Sequence, residues 1–277
     1  MKVERTVPPV ERGTTRVLVP TMGALHDGHR SLMRAARVQA GESGEVVVSV
    51  FVNPTQFAAG EDFDAYPRTL HDDELVCQAE GVDLLYAPTV SDIYGTDNRG
   101  DRIRVDPGPL GRELEGGSRP THFTGVLTVV SILFHRVRPD VAIFGEKDYQ
   151  QLQLIRRMND DLGFGIRIVG VETVRDVDGL ALSSRNSYLS SQARHRAASI
   201  PAAMDAAQSA AREGADAAKA AAEGVLRDGG VEIDYVEVRS ADLGEGPEQG
   251  AARLLIACTV EGTRLIDNCL INVGEAR

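Results

Sequence analysis

The run Val46-Val47-Val48-Ser49-Val50-Phe51-Val52 places apolar residues on both faces of a strand, so it must bury both of them. A parallel strand covered by helices on each side meets that requirement. Further strand-type runs occur at residues 17–19, 82–86, 141–144 and 166–171, with helical patterns between several of them. The alternation predicts the α/β class: a Rossmann-like parallel sheet over residues 1–172. Beyond that point an Ala-rich helical stretch, residues 193–225, precedes alternating strands near 231–239, 253–260 and 263–271. These predict a smaller α+β lid domain over residues 173–277. A chain of 277 residues buries roughly three quarters of its unfolded surface, enough for two such cores.

The three cysteines, Cys77, Cys258 and Cys269, are scattered and no apolar signal segment opens the chain, a pattern that points to a reducing cytoplasm. No run approaches transmembrane length. The net charge of −11 argues against a general nucleic-acid or membrane-surface binder. A local phosphate pocket remains compatible with it, because exposed charges are screened beyond about 8 Å.

Ligands of open parallel sheets bind past the carboxyl ends of the strands, and three motifs follow predicted strands directly. The first, Pro20-Thr21-Met22-Gly23-Ala24-Leu25-His26-Asp27-Gly28-His29, leads into a helix. Leu32, Met33 and Ala36 stand three, four and seven positions after His29, which puts that histidine on the buried side of the first turn. The helix N-terminus favours an anion such as a triphosphate, and its positive pole favours neutral imidazoles. Each histidine alone reads as a core or capping residue; the pair, beside Gly23 and Gly28, reads as functional. Zinc is disfavoured, since no cysteine completes a tetrahedral set.

The second motif, Asn53-Pro54-Thr55-Gln56, together with Gln151 offers uncharged amides for a small polar substrate. In the third, Gly145-Glu146-Lys147-Asp148, a lysine at a helix N-terminus calls for an anion, while Asp148 reads as a cap. The stretch Asp178-Gly179-Leu180-Ala181-Leu182-Ser183-Ser184-Arg185-Asn186 reads as a polar closing loop or an ordinary Ser-rich turn. Val129 and Val130, on an apolar helix opened by Thr121-His122-Phe123, serve as pocket wall or core. Asp72 and Asp73 are candidates to hold Mg²⁺ through water, or simply face solvent.

Six blocks in order resemble those of the pantoate–β-alanine ligases (pantothenate synthetases), in the nucleotidyltransferase superfamily with a His-x-Gly-His signature. They are residues 20–29, Phe51-Val52-Asn53-Pro54, Tyr66-Pro67-Arg68-Thr69, Arg119-Pro120-Thr121-His122-Phe123, residues 144–151 and Ser183-Ser184-Arg185-Asn186. The resemblance implies condensation of (R)-pantoate with β-alanine to pantothenate, a coenzyme A precursor, through a pantoyl adenylate, with AMP and pyrophosphate released. It implies a catalytic set of His29, His26, Lys147 and Arg185. ATP contacts are implied for Met22, Gly23, Ala24, Leu25, His26, Asp27, Gly28, His29, Gly145, Glu146, Lys147, Asp148, Val174, Leu182, Ser183, Ser184 and Arg185. Pantoate contacts are implied for Gln56, Gln151, Met22, Val129 and Val130, and a β-alanine contact for Gln56. ATP with Mg²⁺ and a cytoplasmic homodimer are implied as well.

The family carries a longer segment before the first strand, so an N-terminal helix is expected to be short or absent here. Thr55 stands where some members carry Met or Leu, an exchange expected to loosen a pocket wall; Leu182 stands where some carry Met, a volume-conserving exchange. Two other readings are another nucleotidyltransferase of the superfamily and a non-catalytic nucleotide-binding regulator. Gln56 and Gln151 weigh against the first, and pyrophosphate release would exclude the second.

Overall fold

The computed structural model describes residues 1–58, 60–96 and 102–274. The chain divides into two compact units, Met1–Glu146 with Leu154–Glu172, and Lys147–Gln153 with Thr173–Arg277. Among the described residues no helix is long and apolar enough to cross a membrane.

The first part of the chain runs β1 (Lys2–Glu4), β2 (Arg16–Thr21), α1 (Asp27–Ala40), β3 (Glu45–Val50), α2 (Leu70–Ala79), β4 (Leu84–Tyr86), α3 (Val90–Tyr94), α4 (Glu115–Ser118), α5 (His122–Val137), β5 (Val141–Gly145), α6 (Tyr149–Asp161) and β6 (Arg167–Val171). The six strands form one sheet in the order β1-β4-β3-β2-β5-β6, and every pairing is parallel. The order turns at β2, which lies between β3 and β5. Parallel sheets open a crevice past the carboxyl ends of the strands at such a switch point. There the chain leaves β2 for residues 22–26 and β3 for a 3-10 turn at Pro54–Gln56.

Val17, Leu18 and Val19 of β2 and Val47 and Val48 of β3 are fully buried, as strands apolar on both faces require. One face is covered by α1, whose Met33, Ala36 and Ala40 meet Val17, Val19, Val46, Val48, Val141 and Ile143. The spacing of these three residues is the helical period, and the helix stops at Gly41, where φ is 69°.

Several boundaries differ from the sequence reading. Strand β3 ends at Val50 and not at Val52, because Asn53 turns the chain and caps the Pro54–Gln56 turn. Strand β4 starts at Leu84 and not at Val82: the Val82 amide closes α2 by donating to the Cys77 carbonyl, and the Asp83 carboxylate accepts from the Val46 amide at 2.8 Å. The N-terminal segment, where a helix is expected to be short or absent, holds a short edge strand, β1. Its exposed Lys-Val-Glu sequence carries no strand signal of its own, and pairing with β4 alone makes it one.

The second unit contains α7 (Ser191–Ala197), α8 (Ser199–Ala210), α9 (Ala215–Asp228), β7 (Glu232–Arg239), β8 (Gly250–Val260) and β9 (Thr263–Val273), the strands forming an antiparallel sheet in that order. The Ala-rich stretch is therefore three helices. Pro201 sits in the first turn of α8, where a missing N–H costs nothing, and Gly214 with φ 119° precedes α9. Buried Ala193, Ala197, Ala203, Ala207, Ala218 and Ala222 join alternate residues of β8 (Ala252, Leu254, Ile256, Cys258 and Val260) in one core.

Arg16 is a buried charge at the start of β2, 3 % exposed. Its Nε donates to Glu45 at 2.6 Å, Nη1 to the Val137 carbonyl at 2.9 Å and Nη2 to the Pro8 carbonyl at 2.9 Å. Arg16→Met keeps the apolar stem but strands one carboxylate and two carbonyls. Urea denaturation is expected to show a loss of about 2–4 kcal/mol, the scale for charged hydrogen bonds left unmade. An unchanged midpoint would show the guanidinium to be dispensable.

Candidate active site

The two histidines at the start of α1 cap each other's helix turn. His26 is the N-cap; its Nδ1 accepts from the Gly28 amide at 3.1 Å, while Nδ1 of His29 accepts from the His26 amide at 3.2 Å. This is a capping box with imidazoles in place of the usual Ser and Glu. A neutral ring that accepts at Nδ1 carries its proton at Nε2, so both rings are set as Nε2–H donors. Their centroids lie 4.1 Å apart. The capping and functional readings of these residues are thus one arrangement. The Gly28 amide is engaged by His26.

Asp73 explains the loop before them. It is 2 % exposed on the first turn of α2, and its carboxylate accepts from the Leu25 amide at 2.8 Å and the Ala24 amide at 3.3 Å. Burial pushes its carboxyl above the ordinary range, and the two amides pull it back. Gly23, with φ 84°, lies so close that a Cβ there would stand 2.8 Å from the Asp73 carboxylate. Asp73 therefore braces the loop, while Asp72 is exposed. Among the described residues no three His, Cys, Asp or Glu side chains gather as a metal site.

Gln56 is 8 % exposed and its amide has one orientation. Asn53 Nδ2 donates to Gln56 Oε1 at 3.1 Å, so Gln56 presents its NH₂, which donates to Met22 Sδ at 2.8 Å. Asn53, 1 % exposed, is itself held on every side. Its Oδ1 accepts from Tyr94 Oη at 2.7 Å and Thr55 Oγ1 at 2.9 Å, and its Nδ2 also donates to the Gly125 carbonyl at 3.2 Å. Thr55 is thus a polar brace of this turn. At Gly125 a Cβ would come within 2.3 Å of the Thr55 carbonyl, so only glycine lets α5 approach this turn. The same helix carries Val129 and Val130, both buried, and packs against β2 and the Pro54–Gln56 turn.

A second clasp, which no role in the sequence reading covers, holds the Gln56 backbone. His122 Nδ1 donates to the Gln56 carbonyl at 3.0 Å, and Arg119 donates to His122 Nε2 at 3.2 Å. Arg119 also pairs with Glu61 at 2.7 Å. The block Arg119-Pro120-Thr121-His122 is the available signal for it, but nothing in those residue types names their partner.

In the second unit, Lys147 lies in a 3-10 turn that leads into α6, Asp148 is exposed, and Gln151 is half-buried on that helix. The Val174 carbonyl accepts from the Leu182 amide at 2.9 Å. Residues 178–186, whose types suggest donors awaiting a ligand, form a tied turn. Ser183 Oγ accepts from the Arg185 amide at 3.3 Å, and Asn186 Nδ2 donates to the Ala181 carbonyl at 3.0 Å. Burial pushes the thiols of Cys77, Cys258 and Cys269 up to about 12, which leaves them inert as nucleophiles.

The family model for Pantoate-beta-alanine ligase matches residues 2–270. The chain belongs to the pantoate–β-alanine ligase family. It is 56 % identical over 265 residues to the pantothenate synthetase of Mycobacterium sp. (strain JLS), covering 95 % of this chain and 83 % of that one. With the pantothenate synthetase of Saccharopolyspora erythraea it shares 54 % identity over 275 residues, 99 % of this chain and 89 % of that one. The crystal structure of pantothenate synthetase from Thermus thermophilus superposes with a TM-score of 0.89 at 42 % identity, over 97 % and 99 % of the two chains. That of pantoate-beta-alanine ligase from Francisella tularensis, complexed with beta-gamma ATP and beta-alanine, gives 0.78 at 34 % identity, over 94 % and 91 %. The chain is an enzyme of this type, and ligation of pantoate with β-alanine is favoured over the regulator and over other nucleotidyltransferases.

Arg119 holds the Glu61 carboxyl below the ordinary carboxylate range, against the opposing effect of burial. A carboxyl lowered in the folded state contributes stability in full above its unfolded pKa, about 4.3, and loses it as pH falls through the lower folded value. Glu61→Gln is therefore expected to flatten the acid limb of the stability–pH curve below about pH 4.3 and to lower the plateau above it. Parallel curves for the two proteins from pH 3 to 7 would contradict this role.

Proposed function

We propose that this ligase works through two half-reactions. The pantoate carboxylate attacks the α-phosphorus of ATP and pyrophosphate leaves, giving pantoyl adenylate. The β-alanine amine then attacks the acyl carbon and AMP leaves, giving pantothenate. A carboxylate is already ionised near neutral pH, so the first step needs no base; it needs donors for charge that grows on the phosphates.

What carries the reading is the double histidine cap. It fixes both imidazoles, Nδ1 toward the backbone, at the positive end of α1 before any substrate arrives, which is the form preorganised stabilisation of a developing oxyanion takes. His29 is the proposed donor to the reacting phosphate, with His26 beside it on the polyphosphate and Met22, Gly23, Ala24, Leu25, Asp27 and Gly28 along the nucleotide. The Gln56 NH₂ suits an acceptor on pantoate, and Met22, Val129 and Val130 suit its methyl groups; Gln56 is also the proposed β-alanine contact. Gln151 is a proposed pantoate contact as well. Lys147 and Arg185 are proposed to offset phosphate charge, and Gly145, Glu146, Asp148, Val174, Leu182, Ser183 and Ser184 keep their proposed ATP contacts.

Mg²⁺ enters as part of a Mg–ATP substrate. Asp72 and Asp73 keep their proposed role of holding the ion through water, with Asp73 also engaged by the loop amides. The proposed setting is the cytoplasm and the proposed working form a homodimer.

The direct test is incubation with Mg–ATP, pantoate and β-alanine, read by mass spectrometry for pantothenate and AMP. Pyrophosphate release with pantoate alone isolates the first half-reaction; none released would overturn the adenylate route.

The cap and the donor can be separated at His29. His29→Ala is expected to lower adenylate formation about 10²–10³-fold, the scale for one preorganised donor, and stability by about 0.5–2 kcal/mol for a lost cap. His29→Gln, with the residue a capping box ordinarily uses, should recover much of the stability and little of the rate. Rate recovered along with stability would reduce His29 to a structural residue.

A further inference from the structure

The turn that carries Lys147 is held from a strand far away in sequence. Asn268 of β9, 4 % exposed, donates through Nδ2 to the Lys147 carbonyl at 2.9 Å. Its strand neighbour Asp267, 2 % exposed, receives the Arg175 guanidinium on both oxygens, at 2.7 and 3.0 Å. Asp267 Oδ1 also accepts from the Asn268 amide at 2.8 Å. Successive strand residues point to opposite faces, so an ion pair anchors one face of β9 while the carboxamide projects from the other. On β8, Arg253 stands with its guanidinium 3.9 Å over the Tyr149 ring, and Tyr149 Oη donates to the Ala241 carbonyl at 2.8 Å. Residues 147–149 are thereby fastened at three points, all within the second unit.

An apolar side chain at position 268 would fill a buried strand site without any partner to satisfy. A buried carboxamide is costly unless it is hydrogen-bonded, and this one spends a donor on the backbone of the one lysine in that turn. We infer that Asn268 is a positioning residue for ATP chemistry, holding the Lys147 backbone so that the ammonium meets the polyphosphate from a fixed origin. The benefit is one of orientation: a lysine whose Cα is fixed has less conformational space to search before it meets charge developing on phosphate. The inference rests on the phosphate role proposed above for Lys147.

A double-mutant cycle tests it, with pyrophosphate release from Mg–ATP and pantoate as the readout and thermal unfolding recorded alongside. Asn268→Ala is expected to lower kcat/KM for ATP about 5–30-fold, the equivalent of one buried hydrogen bond. In a Lys147→Ala background the same change is expected to cost less than about twofold, because the residue it acts through is gone. Asn268→Asp, which keeps the shape and loses the donor, repeats the measurement should the alanine variant fold poorly. An equal loss in both backgrounds, or a lowered Tm with unchanged kcat/KM, overturns the inference. Wild-type kcat/KM in Lys147→Ala alone removes the phosphate role of Lys147 and the inference with it, a result distinct from a slow Lys147→Ala enzyme with additive losses.

Discussion

Each imidazole of His26-Asp27-Gly28-His29 accepts a backbone hydrogen through Nδ1, and the chemistry available at the mouth of β2 follows from that constraint. A helix start leaves amides unsatisfied, and most chains satisfy them with Ser, Thr, Asp or Asn. Here the same residues that close the helix are left with a protonated Nε2. Protonating Nδ1 would set a donor against a donor, so the helix turn itself favours the neutral ring. Local structure and the donor set at this site are one set of hydrogen bonds.

The surrounding polar residues work by occupying one another. Asp73 takes the Ala24 and Leu25 amides, which fixes the path of the loop. Asn53 makes bonds through both ends of its amide and so dictates which end of Gln56 is offered. A carboxamide that could turn over would offer a donor or an acceptor at random; one pinned at Oε1 offers only NH₂. The clasp of Arg119 and His122 does the same for the Gln56 backbone. The orientation of Gln56 therefore depends on buried groups around it, and each is costly to leave unpaired.

The second unit relies on small side chains. Alanines on α7, α8 and α9 let the helices lie close to one another and to β8, and helix propensity supports the same residues. Its sheet has polar work on both faces, with the Arg175–Asp267 pair on one and the Asn268 contact to the Lys147 turn on the other.

Much of this was legible in the sequence by itself. Runs apolar on both faces require burial on both sides, so residues 46–52 announced a parallel sheet, and the spacing of Leu32, Met33 and Ala36 announced the helix that covers it. The six motif blocks announced the family. Tertiary structure alone decided what each polar residue faces. Lys-Val-Glu becomes strand β1 because β4 offers an edge; Asp73 braces the loop because two amides reach it; Thr55 is held in its turn because Tyr94 and Asn53 stand within hydrogen-bond range. Hydrophobic burial is additive and periodic, so it can be read along a chain, whereas a hydrogen bond depends on a partner's position to within a few tenths of an ångström. Residues 41 positions apart, such as Asn53 and Tyr94, or 121 apart, such as Lys147 and Asn268, acquire that position only when the chain has folded.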